Sequence, residues 1–286
     1  MIPISRVIDK YPNIADFFPK EWFESELKKG SEDIHLLAKQ LTFKENDESS
    51  LVYLEHIERC LDELKNEIKG HENHFRKLVH KQRYHGILAE LEIGLMYKNM
   101  GFEFEFEPPV QNRFSDIKIT NAETEIFTEV SIRKGPSSKE KEKIGSNCTI
   151  SEFEIRPPQK FKSKIIEESS QLSNIHPGIF ALVIDPSSIP EIESIMSGFG
   201  FGRLWGKHIQ LGLDPSKIVK ERVSGLLIYC NYTTMNEKNN CRYRKEDTFL
   251  CVNPLADIQL PTSVIQKFKI YGTEIIRPYI YKLQKE

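Results

Sequence analysis

The chain has 286 residues, of which 39% are hydrophobic and 29% charged, and its formal net charge is −2. It has no run near the ~18 apolar residues of a membrane span, and the small net charge argues against bulk electrostatic attraction to nucleic acid. Its first residues, MIPISRVIDKYPN, lack a basic region followed by an apolar core, so we expect no signal peptide and a cytoplasmic protein. The five cysteines show no CxxC spacing, which favours reduced thiols over a zinc site.

The N-terminal region, residues 1–82, is predicted to be helical. Prolines divide its first 50 residues into short helices. From Leu54 to Leu78, apolar side chains recur at alternating steps of three and four, which predicts one long helix over 51–82. Gly70 marks the place where this helix would bend or break. We favour a helix packed on its neighbours, and a coiled coil that forms a homodimer is the alternative.

A second helix is predicted over residues 83–100, ending at Gly101. Its apolar stripe includes Leu91 and Leu95, and Glu90 lies at the edge of that stripe, where it could reach a neighbouring cleft. Four histidines precede or begin this helix, at positions 71, 74, 80 and 85. They have no carboxylate or cysteine at matched spacing, so they indicate solvated side chains more than a metal site.

Three strands follow this helix. Residues 102–106 alternate aromatic and acidic side chains, and the arms 115–120 and 125–133 flank a polar turn. If the turn is symmetric, paired residue numbers in the hairpin sum to about 245. Ile117 then faces Thr128, and Asp116 faces Glu129.

Side-chain alternation assigns the residues of the hairpin to two faces. The expected buried face carries Ile117, Ile119, Ile126, Val130 and Ile132, and the other face carries Asp116, Glu129 and Ser131. Directly opposed carboxylates lie roughly 4.5–5.5 Å apart at Cβ and repel each other. Such a pair can chelate a hard divalent cation, although two acids on a solvated sheet face remain the simpler interpretation.

The second half of the chain completes an α/β pattern. A helix is predicted from Pro158 to about Leu172, and the apolar run 179–184 is typical of a strand buried on both faces. Further strands are expected at 223–229 and 248–253. We therefore predict an N-terminal helical region at 1–82, a core at 83–230 with an insertion at about 187–222, and a C-terminal extension at 231–286 packed on the core.

The order helix, strand, strand, strand, helix, strand resembles the PD-(D/E)XK nuclease superfamily over roughly residues 83–185. The family's helix acid, proline–aspartate motif and acid–x–lysine motif are matched by Glu90, by Ser115-Asp116 and by Glu129-Val130-Ser131. The resemblance implies a restriction-endonuclease-like αβββαβ core with a mixed sheet. It also implies a Mg²⁺ or Mn²⁺ site formed by Asp116, Glu129 and Glu90, with the Val130 carbonyl as a possible further ligand.

The motif lysine is replaced by Ser131. Some family members supply this lysine from the following helix, where Lys160 and Lys164 lie four residues apart and share a face. We rank Lys164 first, then Lys160, as the catalytic cation, and Arg133, on the same strand face as Glu129, is the third candidate. Two basic segments, 133–143 and 156–164, would flank the site, and Arg133, Lys134, Arg156, Lys160 and Lys162 are the expected phosphate contacts.

Three functions are consistent with these features. The first is metal-dependent hydrolysis of phosphodiester bonds in nucleic acid, with DNA the expected substrate. The second, which the missing lysine favours, is a module of the same fold that binds nucleic acid or a protein partner without cutting. The third is an unrelated α/β protein whose acids are structural.

Overall fold

The computed structural model of the protein describes residues 1–44, 47–111, 113–122, 124–133, 167–184, 203–205, 208–210, 221–236 and 241–276. Within these ranges the chain is a mixed α/β protein that divides into two compact units. Unit 1 comprises Met1–Asn99 and Asn231–Glu246, and unit 2 comprises Met100–Cys230 and Asp247–Glu286. The predicted boundary after residue 82 falls inside unit 1, and the predicted boundary after residue 230 coincides with a division between the units.

Helices make up most of unit 1, and the short helices predicted for its first 50 residues are confirmed. They are α1 (Ile4–Lys10), α2 (Pro12–Phe17), α3 (Lys20–Glu26), α4 (Leu36–Gln40), α5 (Glu48–Glu63), α6 (Lys65–Ile68), α7 (Glu72–Phe75) and α8 (Lys81–Asn99), with a 3-10 helix at Arg76–Val79. The longer helix α5 begins after Asp47, whose carboxylate accepts a hydrogen bond from the Ser50 N–H at 2.9 Å. This contact satisfies one of the backbone donors left unpaired at a helix start.

The prediction of one long helix over residues 51–82 is wrong. Helix α5 ends at Glu63, and Gly70, with a φ of +94°, separates α6 from α7. That φ lies in the left-handed region, which glycine adopts without the steric cost of a Cβ. The pattern nevertheless marks a core. His71, which continues its spacing, is half-buried, and its apolar members are at most 5% exposed: Leu54, Ile57, Leu61, Leu64, Ile68, Phe75 and Leu78. Their burial agrees with the favoured interpretation of helices packed on their neighbours.

Helix α8 confirms the second predicted helix, and Gly101 follows it with a φ of +72°. Burial is continuous from Ile87 to Tyr97, so every face of this part of the helix is enclosed. The enclosed stretch includes two glutamates, Glu90 and Glu92, which are 7% and 6% exposed. Because buried carboxylates need hydrogen-bond or charge partners, both positions require specific neighbours. In the part of the chain that the structure describes, no helix is long and apolar enough to cross a membrane.

A seven-stranded mixed sheet has the order β1-β4-β5-β6-β9-β10-β11. In chain order the strands are β1 (Glu103–Phe106), β2 (Pro109–Val110), β3 (Arg113–Phe114), β4 (Ile117–Asn121), β5 (Thr124–Arg133), β6 (Gly178–Ile184), β7 (Arg203–Trp205), β8 (His208–Gln210), β9 (Gly225–Asn236), β10 (Cys241–Val252) and β11 (Glu274–Ile276). Helix α9 (Thr262–Tyr271) precedes β11. Strands β2 and β3 form a small hairpin of their own, as do β7 and β8.

The predicted hairpin and its register are confirmed. Strands β4 and β5 are antiparallel, and Ile117 pairs with Thr128 and Ile119 with Ile126. The assignment of burial is only partly right. Ile117, Ile119 and Ile126 are buried, whereas Val130 and Ile132 are half-buried and Glu129 and Ser131 are buried. Strand β5 lies between β4 and β6, and central strands carry cover on both faces, so alternation alone does not identify the covered side.

Strand β6 confirms the predicted buried strand, because it runs parallel to both β5 and β9. It begins at Gly178, where an added Cβ would lie 2.1 Å from the Arg222 carbonyl oxygen. Only glycine permits that approach of two backbone segments. Strands β9 and β10 extend beyond the predicted 223–229 and 248–253, and their outer parts, 231–236 and 241–246, belong to unit 1. The predicted helix over 158–172 lies mostly outside the described residues, and the structure shows only a helical turn at 167–169.

Candidate metal-binding site

The candidate site lies in unit 2, where β4 begins beside β5. After the last backbone pair, Ile117 with Thr128, two side chains continue the contacts between the strands. The Ser115 hydroxyl donates to the Thr128 carbonyl at 2.9 Å, and Asp116 Oδ2 accepts from the Val130 N–H at 2.7 Å. These hydrogen bonds hold the Asp116 carboxylate against the edge of β5.

Glu129 lies on β5 at the next position of the same register, and it is only 5% exposed. Its Oε1 accepts a hydrogen bond from Gln171 Nε2 at 2.8 Å. Gln171 belongs to the segment that leads into β6, and the sequence analysis did not identify it. A lone glutamine after a helical turn carries no motif, so only the three-dimensional contact reveals it.

The backbone of Val130 adds a third oxygen to this edge. In a β-strand the N–H and C=O of one residue point to the same side, and alternate residues share that side. The Thr128 carbonyl and the Val130 N–H both meet side chains from the start of β4. The Val130 carbonyl therefore points toward the side on which Asp116 lies, and its role as a metal ligand stays a prediction.

Ser131, at the position of the motif lysine, is buried at 5% exposure. Lys118 shares the sheet face of Asp116 and Glu129 by alternation, but its ammonium contacts Glu125 at 3.1 Å and Glu105 at 3.3 Å. Burial alone would lower the pKa of Lys118, yet its hydrogen bonds to these two acids raise it. Lys118 therefore balances the charges of Glu105 and Glu125 and does not take the place of the motif lysine.

Glu90 belongs to unit 1, where its Oε2 contacts His74 Nε2 at 2.6 Å. The expectation that His74 is merely solvated is wrong, because 13% of its side chain is exposed and it pairs with this buried acid. The predicted role of Glu90 as a partner of Asp116 and Glu129 stays a prediction.

The predicted cations fall largely outside the described ranges. Arg133 is the last residue of β5. The others, Lys134, Arg156, Lys160, Lys162 and Lys164, lie outside the described residues.

The predicted ligands at the β4–β5 hairpin are all oxygen donors. Mg²⁺ prefers oxygen ligands, usually takes one or two protein carboxylates and keeps several waters. Asp116, Glu129 and the Val130 carbonyl supply such a set. Across the described ranges, no group of three or more histidine, cysteine, aspartate or glutamate side chains could hold a metal ion; the proposed set contains two such side chains.

Comparisons of the chain with known protein families, curated proteins and solved structures found no match.

Proposed function

We propose that this protein is a divalent-metal-dependent hydrolase of phosphodiester bonds in nucleic acid, with DNA as the expected substrate. One observation carries the proposal: the Asp116 carboxylate accepts from the Val130 N–H on β5, next along that strand from Glu129. The order α8, β1, β4, β5, helical turn and β6 adds support when the separate β2–β3 hairpin between β1 and β4 is left aside, because a restriction-endonuclease-like αβββαβ core has this order.

Each side chain has a distinct part in this proposal. Bound Mg²⁺ or Mn²⁺ would neutralise phosphate charge and make a bound water nucleophilic. Asp116 is oriented for metal binding by the Val130 N–H, and Glu129 by Gln171. Both carboxylates are therefore positioned before a ligand arrives, which reduces the reorganisation needed during the reaction.

Because serine occupies position 131, where the family motif has lysine, another cation has to take the role of that lysine. A lysine stem is long and flexible, and its ammonium is a compact point charge suited to stabilising phosphate. Lys164 and then Lys160 are our candidates, because they lie on the segment that follows the hairpin in sequence. The basic residues Arg133, Lys134, Arg156 and Lys162 would contact flanking phosphates.

A non-cleaving module of the same fold is the second candidate function. It is favoured by the burial of Ser131, because that strand position supplies no cation to the site. Such a protein would bind nucleic acid or a protein partner through the same surface.

Cleavage of supercoiled plasmid, branched DNA and single-stranded RNA tests the proposal. We expect wild-type protein to cut DNA when Mn²⁺ or Mg²⁺ is present and to be inactive in EDTA. Lys164→Ala and Lys160→Ala identify the cation, because the variant that lacks it should lose most of the activity. DNA binding by the wild type without cleavage under any of these conditions would instead favour the second function.

We also predict that Mn²⁺ raises the melting temperature of the wild type and not that of Asp116→Asn. Two nearby carboxylates repel each other in the absence of metal, and a ligand that binds only the folded state stabilises it by mass action. Asparagine keeps an oxygen that can accept from the Val130 N–H, so the hairpin should remain folded. Differential scanning fluorimetry across a Mn²⁺ titration measures the shift, and an equal shift in both proteins would reject Asp116 as a ligand.

A further inference from the structure

We infer that a pocket of unit 2, next to the candidate metal site, binds one nucleotide of the nucleic acid through its phosphate. The assignment of nucleic acid as the ligand rests on the proposed function. The pocket has a volume of about 300 Å³ and is bordered by β3 and by the segment 170–172. Two of its lining side chains are the guanidinium groups of Arg113 and Arg222.

The two arginines converge on one short piece of chain. Arg113 Nη1 donates to the Ser170 hydroxyl at 3.0 Å, and Arg222 Nη1 donates to the Leu172 carbonyl. Ser170 and Leu172 are two residues apart, so their Cα atoms are separated by at most ~7.6 Å. Both guanidinium groups are therefore anchored at the same wall of the pocket.

The side chains that line the pocket include two positively charged arginines and no acidic residue. A guanidinium carries five N–H donors, and each arginine uses only one of its nitrogens in the contacts above. The remaining planar donors match the oxygens of a phosphate, which arginine binds in a bidentate manner.

The size and the remaining lining of the pocket favour a nucleotide over a bare anion. Its volume is at the lower end of the range for small-molecule sites, roughly 300–1,000 Å³. Val110 adds apolar surface to the lining, and 7% of this residue is exposed. A sugar or base attached to the phosphate would cover this surface.

Gln171 connects the pocket to the candidate metal site. It lines the pocket and donates to Glu129 Oε1 at 2.8 Å. A nucleotide in the pocket would therefore lie one side chain away from an acid of the metal site. If the phosphate to be cut lies at the metal site, a neighbouring nucleotide of the same strand would contact Arg113 and Arg222. Binding of that nucleotide would fix which phosphodiester bond is cut.

The test uses fluorescence anisotropy of a labelled DNA oligonucleotide without divalent metal, over a series of salt concentrations. The variants are Arg113→Gln, Arg222→Gln and the double variant, and Arg76→Gln is the control, because Arg76 is an exposed arginine of unit 1 outside the pocket. We expect the double variant to lose about tenfold or more in affinity. Its slope of log affinity against log salt should fall by about 0.7–0.9, since the pocket holds one phosphate and each phosphate contact contributes ~0.7–0.9. Arg76→Gln should match the wild type.

Competition and thermal shift separate the possible failures. Thymidine 5′-monophosphate should displace the oligonucleotide more effectively than inorganic phosphate does. If the double variant kept the wild-type affinity and salt slope, even with a lowered melting temperature, the arginines would stabilise the fold without binding nucleic acid. Binding of the monophosphate without binding of the oligonucleotide would overturn the assignment to nucleic acid. The Mn²⁺ shift in melting temperature should persist in Arg113→Gln; its absence in the wild type would count against the metal site alone.

Discussion

Glu129→Gln and Asp116→Asn are each expected to reduce metal-dependent cleavage by about 10²–10⁴-fold. A metal ligand contributes several kcal/mol of transition-state stabilisation, and each 1.36 kcal/mol corresponds to a factor of ten in rate. Glutamine at 129 keeps an oxygen for the Gln171 amide, so the change removes charge with little change in shape. The initial rate of plasmid nicking in Mn²⁺ measures the effect.

Glu125→Gln is the matched control for this prediction. Glu125 lies on the same strand, β5, and its carboxylate contacts Lys118 at 3.1 Å. Its side chain is 44% exposed, and exposed ion pairs contribute at most about 1 kcal/mol. We expect near-wild-type cleavage from Glu125→Gln; comparable rates from Glu129→Gln would remove Glu129 from the site.

Glu92→Ala is expected to destabilise the protein by about 3–5 kcal/mol. In unit 1, Glu92 Oε1 contacts His56 Nε2 at 2.7 Å, Asn231 Nδ2 at 3.0 Å and Arg244 Nη2 at 3.4 Å. The side chains of Glu92, His56 and Arg244 are only 6%, 2% and 18% exposed. Removing Glu92 leaves its buried polar partners and the Arg244 charge without compensation. Breaking a buried ion pair in this way typically costs about 3–5 kcal/mol of stability.

Urea unfolding followed by circular dichroism measures this loss, with Glu55→Ala as the control. Glu55 lies on the neighbouring helix α5 and pairs with Lys10 at 2.7 Å, but both side chains are about half exposed, at 53% and 47%. An exposed pair of this kind should change the free energy of unfolding by roughly 1 kcal/mol or less. Equal losses in the two variants would mean that the buried cluster contributes no more than a surface ion pair.

The hairpin and its neighbours were predictable because their signals are local. Alternation between Ile117 and Ile119, a short polar turn and a second alternating arm fix the register, since a slip by one residue would move every side chain to the wrong face. The apolar run of β6 is likewise readable without knowledge of its partners. The same reasoning predicted that Glu129 lies on one arm of the hairpin and Asp116 at the start of the other, and the structure places Asp116 directly before β4.

The remaining features depend on contacts between distant parts of the chain. The cluster around Glu92 joins residues 56, 92, 231 and 244, and no sequence spacing relates these positions. The apolar pattern near Gly70 does not decide whether the helix bends or breaks there, because both alternatives bury the same side chains. Strands β9 and β10 run past their apolar parts into polar segments such as Tyr232–Thr234, where β-branched and aromatic residues favour extended backbone.

The central claim is that Asp116 and Glu129 hold one divalent cation, and anomalous diffraction from a crystal soaked in Mn²⁺ tests it most directly. We predict an anomalous peak within coordination distance, about 2–2.3 Å, of both carboxylates and the Val130 carbonyl, with waters in the remaining positions. The same soak of Asp116→Asn should show no peak there. A wild-type map without a peak at this edge, or with the two carboxylates turned away from a common point, would contradict the account.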